Sequence, residues 1–367
     1  MGRHCHFPPG TALLKTEDLN IEVYIMNPLV SILIPAYNSE RWISGTIESA
    51  LRQTWENIEI IIVDDGSADH TYDIAKTYQS PRVKVLTQEN QGAPATRNNL
   101  FKLSQGDYVQ WLDADDLLDP DKIANQLKNP GIKDDPMVLL TASFGTFYFR
   151  IEKATFNPNS LWQDLTPIEW ILNKFNDNVW MNPTAWLVSR ELTELAGPWN
   201  ASLAKSGDDD GEYICRIIKH CKRVKFVSDA KCYYRIGSLS SLNWQSGKAL
   251  DSLFLSLKLS IDHLLDIENS EKTRKACLKY LQTWYIFFYP DGNDTLDQVN
   301  ELADRLGGSL TPPEFKLKYL PFKILFGNEF AKRMSDCLPK IKMKILKNYD
   351  YFMYKMLQPI KSKGYAK

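Results

Sequence analysis

Three carboxylates stand within four residues at the end of a predicted strand. Residues 108–112 carry aromatic and β-branched side chains typical of a short strand, and Asp113, Asp115 and Asp116 follow directly. Carboxylates this close repel one another unless a cation lies among them. Mg²⁺ and Mn²⁺ favour such oxygens while leaving room for water and substrate phosphates. The segment is therefore a candidate metal–diphosphate site; a solvated acidic turn before a helix is the alternative.

A second pair of carboxylates, Asp64 and Asp65, follows the apolar run 58–63 and precedes Gly66 and Ser67. A carboxylate at a strand end can accept a hydrogen bond from the ring N–H of a nucleobase, while glycine lets the backbone turn tightly. The alternative is an Asx turn with a helix N-cap. That alternative accounts for Ser67 better than for two aspartates before the glycine.

A glycine-bearing loop at 90–98 enters a predicted helix. Helix N-termini attract anions, and Arg97, one turn beyond Gly92, can add positive charge to a diphosphate. An ordinary helix start with a surface arginine has the same pattern.

The elements that carry these side chains alternate between strand and helix over residues 29–112. This alternation predicts an α/β fold, with a mainly parallel sheet and helices on both faces. Ligands bind such sheets beyond the carboxyl ends of the strands. Because the polar clusters at 35–38, 64–67 and 113–116 all follow strands, we expect one crevice to collect them.

Charge is distributed unevenly along the chain, although the net charge is only −1. Residues 314–367 hold 13 Lys/Arg against 4 Asp/Glu, a charge of +9, which leaves −10 for residues 1–313. The candidate catalytic residues lie in the acidic part, which argues against an enzyme acting on nucleic acid.

The basic end of the chain contains an apolar stripe at helical spacing, formed by Ile341, Ile345, Tyr349, Phe352 and Met356. The lysines close to it are Lys340, Lys342, Lys344 and Lys347. Such a helix can lie on an anionic membrane with its apolar face down. It can equally pack on the main domain with a solvated lysine face, and the sequence leaves both interpretations open.

Length and composition set the remaining expectations. The chain of 367 residues with 44% hydrophobic content is predicted to have a disordered extension at 1–25, an α/β domain at 26–245 and a helical, basic region at 246–367. Six cysteines without Cys-x-x-Cys pairs or zinc spacing fit a reducing compartment. Because no apolar run reaches the roughly 20 residues of a membrane span and no export signal is evident, we expect a cytoplasmic protein, free or peripheral on the membrane.

The order and spacing of these motifs resemble those of the family 2 glycosyltransferases. The residues that carry the resemblance are Val30–Asn38, Gln53-Thr54, Ile61–Ser67, Asn90–Gly92, Arg97-Asn98 and Asp113–Asp116. The resemblance covers residues 28–245 and does not reach the tail. It implies the GT-A fold, a Rossmann-like fold of nucleotide-diphospho-sugar transferases with a mixed, mainly parallel sheet.

The resemblance implies a nucleotide-sugar donor site. The residues that it places on the nucleotide and diphosphate are Pro35, Tyr37, Asn38, Asp65, Gly92 and Arg97. Pro35 and Tyr37 would line the base pocket, and Asp65 would contact uracil or guanine.

The Asp-x-Asp signature of the family matches Asp113-Ala114-Asp115. Asp115 would be the direct ligand of Mn²⁺ or Mg²⁺, with Asp113 beside it, and the metal would neutralise the departing nucleoside diphosphate. Asp116 would support the site or bind the donor sugar.

The resemblance also implies a catalytic base. Counted back from Arg216, the family's Glu-Asp pair falls on Asp209 and Asp210, and Asp210 would deprotonate an acceptor hydroxyl. Asp209 is one methylene shorter than the usual glutamate. On residue types alone, these aspartates are a helix N-cap cluster.

Two residues are candidates for the acceptor side. Trp186 offers a flat ring that can stack on a sugar, although tryptophan is more often a core residue. Arg235 would bind diphosphate or pair with the acidic cluster.

These expectations predict an inverting, metal-dependent glycosyltransferase. It would move a sugar from a nucleoside-diphosphate sugar, with UDP favoured, to a glycan or lipid-linked hydroxyl acceptor in polysaccharide or cell-envelope assembly. A nucleotidyltransferase on a related sheet is one alternative, but it requires a phosphate-binding Gly/Lys/Arg loop where Pro35–Asn38 stands. A non-catalytic nucleotide-sugar-binding protein is the other, favoured only by the short Asp209.

Overall fold

The computed structural model describes residues 11–14, 23–128, 135–204, 208–237, 247–289, 294–313 and 317–357. The chain divides into two compact units, and each is considered by itself. Unit 1 comprises Met1–Ser143, Asn182–Ala201 and His220–Cys232, and unit 2 comprises Phe144–Met181, Ser202–Lys219 and Tyr233–Lys367. Each unit is thus assembled from three segments, and the domain boundary expected at residue 245 stays a prediction.

The strands are β1 Thr11–Leu14, β2 Val23–Met26, β3 Val30–Ala36, β4 Ile58–Asp64, β5 Val83–Thr87, β6 Tyr108–Trp111, β7 Leu117–Leu118, β8 Val138–Phe147, β9 Thr155–Phe156, β10 Trp186–Ser189 and β11 Arg223–Arg235. The α-helices are α1 Ile43–Leu51, α2 Thr71–Lys76, α3 Ala93–Leu103, α4 Lys122–Leu127, α5 Pro167–Asp177, α6 Arg190–Ala196, α7 Asp209–His220, α8 Gly247–Ile267, α9 Glu271–Trp284, α10 Asp294–Arg305 and α11 Leu320–Leu357.

The main sheet has the strand order β5-β4-β3-β6-β10-β8-β11-β7 within the described residues, and β9 pairs with β8. Strands β3, β4, β5 and β6 run parallel, whereas β10 is antiparallel to both β6 and β8. The apolar runs of β3 and β4 are buried along almost their whole length, as expected for parallel strands covered on both faces. The structure therefore confirms the predicted α/β fold with a mixed, mainly parallel sheet.

The register of the parallel strands decides where the functional loops begin. Ala36 of β3 is the partner of Asp64 of β4, and Leu33 is the partner of Trp111 of β6. The chain therefore leaves β3, β4 and β6 at one edge of the sheet, as the sequence predicted.

The described part of the N-terminal region forms two short antiparallel strands, in which Thr11 of β1 is the partner of Met26 of β2. Residues 1–10 and 15–22 of the extension expected at 1–25 lie outside the described residues. In the part of the chain that the structure describes, no helix combines the length and apolar character needed to cross a membrane.

The helices of unit 2 surround an apolar interior. The side chains Leu253, Leu257, Ile261 and Leu264 of α8 are buried, as the helical spacing of leucines predicts. Phe175 of α5 stacks on Tyr280 of α9 with ring centroids 4.1 Å apart. The last helix, α11, is interrupted at Gly327, where φ is 84°.

Candidate active site

The loops after β3 and β4 are joined by hydrogen bonds at the carboxyl edge. The backbone N–H of Asn38 donates to Ser67 Oγ over 2.9 Å, and Asn38 Oδ1 accepts from the N–H of Ala68 over 2.9 Å. Asn38 has a φ of 45°, which asparagine tolerates better than most residues. Tyr37 beside it is 47% exposed, so this predicted base-pocket residue presents an open ring, next to the half-buried Pro35.

Asp65 organises the loop that opens α3. Its buried carboxylate accepts hydrogen bonds from Gln88 Nε2 (2.8 Å) and from the backbone N–H groups of Gln91 (2.9 Å) and Gly92 (2.8 Å). Gly92 has a φ of 88°, a conformation that favours glycine. The structure thus gives Asp65 a positioning role that the sequence did not suggest, while its contact with a base stays a prediction.

Arg97 lies on α3 and points at the aspartate cluster. Its Nη2 donates to Asp113 Oδ1 over 2.9 Å, and its guanidinium lies 4.3 Å from the ring centroid of Trp199. The Arg97 side chain is buried and that of Asp113 is partly exposed. In the structure, Arg97 therefore pairs with Asp113, and its contact with a diphosphate remains a prediction.

Trp199, whose ring lies against the Arg97 guanidinium, is a further residue of this site. Asn98 holds it, because Asn98 Nδ2 donates to the carbonyl of Trp199 (2.8 Å) and the N–H of Trp199 donates to Asn98 Oδ1 (2.7 Å). Its indole also meets Trp111 edge to face with centroids 5.4 Å apart. The adjacent Arg97-Asn98 pair was the signal for this platform, since both side chains serve it.

The turn of Asp113–Asp116 is held from below by α1. Thr46 Oγ1 donates to the carbonyls of Ala114 (2.9 Å) and Asp116 (3.0 Å). No sequence motif marked Thr46 for this role. It fixes the backbone from which the candidate metal ligands project.

The aspartates of this turn have different surroundings. Asp116 is 0% exposed, and its Oδ2 accepts from Thr184 Oγ1 (2.9 Å) and Asn182 Nδ2 (3.3 Å). Of the two roles implied for Asp116, support of the site fits this burial, and direct contact with a donor sugar does not. Asp113 keeps a partly exposed carboxylate beside Arg97.

The described residues hold no group of three His, Cys, Asp or Glu side chains that could enclose a metal ion. Mg²⁺ and Mn²⁺ need no such enclosure, since they commonly use one or two carboxylates together with phosphate oxygens and water. Asp113 is partly exposed and Asp115 is 8% exposed on the same fixed turn, so these two carboxylates, rather than the fully buried Asp116, fit that open kind of site. The donor set therefore suits a cation shared with a diphosphate.

A buried lysine supports the same part of unit 1. Lys122 Nζ donates to Gln126 Oε1 (3.0 Å) and to the carbonyl of Trp186 (3.4 Å), and it also contacts Gln110 Oε1. Burial lowers the pKa of Lys122 to about 7. This lysine was not singled out from the sequence, because nothing in its local pattern marks it as buried.

The expectation that Trp186 stacks on an acceptor sugar is corrected by the structure. Trp186 lies in β10, paired with β8, and its side chain is 0% exposed. A ring without exposed surface offers no face to a ligand, so Trp186 is a core residue.

The predicted base belongs to unit 2, at the start of α7. Asp209 and Asp210 are half-buried in the first turn, and Asp210 Oδ1 accepts from the N–H of Gly211 over 2.9 Å. Asp208 is buried instead, and it accepts from Ser256 Oγ over 3.1 Å. Burial raises the pKa of Asp208. The three consecutive aspartates are therefore distinct, with Asp209 and Asp210 the accessible pair.

The next turn of α7 is anchored by a buried ion pair. Glu212 bonds Arg216 through both oxygens (2.8 and 2.9 Å) and His263 Nε2 through Oε1 (2.9 Å). Burial alone raises the pKa of Glu212, but the hydrogen bonds from His263 and Arg216 outweigh it and leave the pKa below its usual value. These contacts fix α7 to α8.

Arg235, predicted on the acceptor side, lies at the end of β11 in unit 2. Its Nη1 donates to the carbonyl of Tyr148 over 2.7 Å, and its guanidinium lies 4.3 Å from the ring centroid of Phe147. Its predicted contact with diphosphate stays a prediction.

The sequence and the fold were compared with those of known proteins. The family model of Glycosyl transferase family 2 matches residues 31–172. Glycosyltransferase GlyG of Streptococcus pneumoniae is 29% identical over 284 residues, which cover 70% of this chain and 91% of GlyG. An Escherichia coli protein, UDP-Glc:alpha-D-GlcNAc-diphosphoundecaprenol beta-1,3-glucosyltransferase WfaP, is 45% identical over 100 residues, covering 27% of this chain and 40% of WfaP.

Among solved structures, S. aureus TarS in complex with UDP-GlcNAc is similar to this chain with a TM-score of 0.55 and 18% sequence identity. The similarity covers 76% of this chain and 80% of that chain. At this identity the likeness concerns the fold, and it agrees with the mixed sheet described above.

Proposed function

We propose that this chain is a family 2 glycosyltransferase with a GT-A-like fold, and that it transfers a sugar from a UDP-sugar to a hydroxyl acceptor with inversion. The observation that carries the proposal is the arrangement in unit 1, where Arg97 pairs with Asp113 on the turn that also bears Asp115. This turn lies at the carboxyl edge, where α/β sheets bind their ligands.

The nucleotide would bind beside the loops that follow β3 and β4. Tyr37 offers an exposed aromatic face for a base, and the loop fixed by Asp65 begins α3, whose N-terminus favours phosphate. The choice of UDP is supported by the names of two similar proteins, since WfaP is named for UDP-Glc and TarS was solved with UDP-GlcNAc.

Asp115, with Asp113 beside it, would hold a divalent cation. Bound there with the diphosphate, Mn²⁺ or Mg²⁺ would supply positive charge that stabilises the leaving nucleoside diphosphate. Two residues of the chain preorganise this site. Thr46 fixes the backbone of the turn, and Arg97 limits the repulsion between the carboxylates of Asp113 and Asp115.

Asp210 would act as the general base. It would accept the proton of the acceptor hydroxyl while that oxygen forms a bond to the anomeric carbon. The bond from the anomeric carbon to the diphosphate oxygen breaks with its electrons leaving on UDP, so direct displacement inverts the anomeric centre. Asp209 would orient the acceptor beside it, and the buried Asp208 would hold the helix start through Ser256.

The acceptor would be a growing glycan or a lipid-linked sugar. The name of WfaP, a transferase acting on a sugar diphosphoundecaprenol, supports the lipid-linked class. A cytoplasmic location is supported by Cys215, Cys221, Cys232, Cys277 and Cys337, which are free thiols in the described residues.

The proposal is tested by incubating the protein with a panel of UDP-sugars and Mn²⁺ and measuring UDP release with water as the acceptor. We expect release with at least one donor, and a fall of about 10²-fold or more in Asp210→Asn, which cannot take up a proton at that position. Asp229→Asn, an exposed aspartate outside the site, is the matched control. Equal rates in Asp210→Asn and the wild type would reject Asp210 as the base, and no release with any donor would reject the donor class.

A further inference from the structure

The helix α11 carries an apolar stripe that the described residues of unit 2 leave exposed. Ile345 is 63% exposed, Phe352 59% and Met356 67%, and Ile341 and Tyr349 are exposed as well. Their spacing of three and four residues places them on one side of the helix. The stripe predicted from the sequence therefore exists, but it is not the face by which the helix packs.

The opposite side of α11 attaches the helix to unit 2. Asp350 accepts from the backbone N–H of Phe149 (3.0 Å) and from Arg150 Nε (2.6 Å), and it is buried. Tyr351 and Tyr354 lie against the ring of Phe149, with centroids 4.9 and 6.0 Å away. Since this side is fixed by an ion pair and aromatic contacts, the stripe is directed away from unit 2.

The charge around the stripe indicates which kind of partner can bind it. Residues 317–357 hold nine Lys/Arg and three Asp/Glu, a charge of +6, and Asp350 is neutralised by Arg150. If a second copy of this chain bound the stripe, two positively charged helices would lie against each other, and their repulsion disfavours such a pair. An exposed apolar stripe of helical length bordered by lysines fits an anionic phospholipid surface.

The segment before the interruption at Gly327 has the same character. Ile324, Leu325 and Phe326 are exposed, with Lys323 next to them. A second exposed apolar stretch thus precedes Gly327.

We propose that α11 is a docking surface for anionic phospholipid bilayers, with the stripe of Ile341, Ile345, Tyr349, Phe352 and Met356 entering the interface and the lysines contacting the headgroups. The inference rests on unit 2 alone and does not depend on the proposed transfer reaction.

The test is co-sedimentation of the full chain with phosphatidylcholine vesicles that contain or lack phosphatidylglycerol. We expect binding to the anionic vesicles, and a fall in the partition coefficient on the order of a hundredfold in the double variant Ile345→Asp with Phe352→Asp. Leu195→Asp, an exposed apolar helical residue of unit 1, is the matched control and should bind like the wild type.

The lysines are tested separately with Lys342→Glu and Lys344→Glu together, which should lower binding by about tenfold or more because each cation contributes near an anionic surface. Lys272→Glu with Lys279→Glu, both exposed on α9, makes the same change of charge elsewhere and should leave binding unchanged. A circular dichroism spectrum and a melting temperature equal to those of the wild type would show that each variant is folded.

Three outcomes would overturn the inference. The first is wild-type binding that is no stronger to anionic than to neutral vesicles, and the second is equal binding to anionic vesicles by the stripe variant and the wild type. The third is self-association through the stripe without vesicle binding, seen as a larger mass by light scattering that Ile345→Asp abolishes, which would assign the stripe to a second copy.

Discussion

Asp65→Asn is expected to destabilise this protein far more than Asp64→Asn, although both changes are isosteric and remove one negative charge. The three donors that face Asp65 are Gln88 Nε2 and the N–H groups of Gln91 and Gly92. An asparagine can present its oxygen to two of them, but its NH₂ group then faces the N–H of Gly92 across 2.8 Å. A backbone N–H cannot reverse its role.

The magnitude follows from the bond that is lost. A hydrogen bond to a charged group contributes roughly 1.5–3 kcal/mol, and a buried donor left without an acceptor costs about 1–3 kcal/mol. Asp64 Oδ2 accepts from the N–H of Ser67 (3.1 Å) and from Thr87 Oγ1, whereas Oδ1 accepts only from Ser67 Oγ in the described contacts. An asparagine can keep its oxygen at the Oδ2 position, and its NH₂ group then faces Ser67 Oγ, a hydroxyl that can rotate and accept. We therefore expect a loss of about 2–4 kcal/mol for Asp65→Asn and below about 1 kcal/mol for Asp64→Asn.

The assay is urea unfolding of both variants and the wild type, with amide hydrogen exchange at Gln91 and Gly92. Faster exchange of these two amides in Asp65→Asn would show that the loop before α3 has loosened. Equal free energies of unfolding for the two variants would refute the argument that Asp65 organises this loop.

Three further changes test other parts of the structure. Burial lowers the pKa of Lys122 from 10.5 to about 7 in the folded protein, so the unfolded state binds more protons between these two values. The free energy of unfolding should therefore rise with pH in this range, by roughly 1.4 kcal/mol per pH unit. Urea unfolding should show this rise in the wild type, and Lys122→Met should lack it. Thr46→Val removes the donor to the Ala114 and Asp116 carbonyls, and it should lower the free energy of unfolding by about 1–3 kcal/mol and weaken metal-dependent UDP binding in calorimetry. Gly211→Ala would put a Cβ 2.2 Å from Asp208 Oδ1, and it should lower the melting temperature, with turnover reduced through displacement of the start of α7.

For each of these three predictions, one result would contradict it. A pH slope shared by the wild type and Lys122→Met would assign the dependence to other groups. Thr77, which is exposed directly after α2, provides the control, because Thr77→Val should leave UDP binding unchanged. If Thr46→Val changed UDP binding no more than Thr77→Val does, Thr46 would have no role in fixing the turn. An unchanged melting temperature in Gly211→Ala would show that Asp208 is not packed as described.

The sequence predicted the sheet and its functional edge because continuous apolar runs suit strands buried on both faces. The runs of β3 and β4 could form little else, and the polar residues after them had to gather where parallel strands end. The position of Asp113 and Asp115 followed from the same reasoning.

The partners of the buried carboxylates could not be predicted in this way. Asp65 bonds Gly92, which is 27 residues away, and Asp116 bonds Thr184, which is 68 residues away. Trp186 was expected at an acceptor surface, but its exposure is decided by the neighbouring strand β8, which local sequence does not reveal.

The helix α11 was likewise predicted only in part from the sequence. Spacing predicted a helix with an apolar stripe, and the structure contains it. Which face packs was decided by Asp350, a charged residue whose partner Arg150 lies 200 positions earlier. The hydrophobic pattern is compatible with a packed stripe and with an exposed one, so only the fold shows that the stripe is exposed.

Donor binding at the aspartate turn underlies every step of the proposed transfer, and it is measured by calorimetric titration of UDP into this protein, first with Mn²⁺ and then with chelator. We expect binding that requires Mn²⁺, that is lost in Asp115→Ala and that persists in the exposed control Asp229→Ala. UDP binding of equal strength with chelator, or in Asp115→Ala, would contradict it.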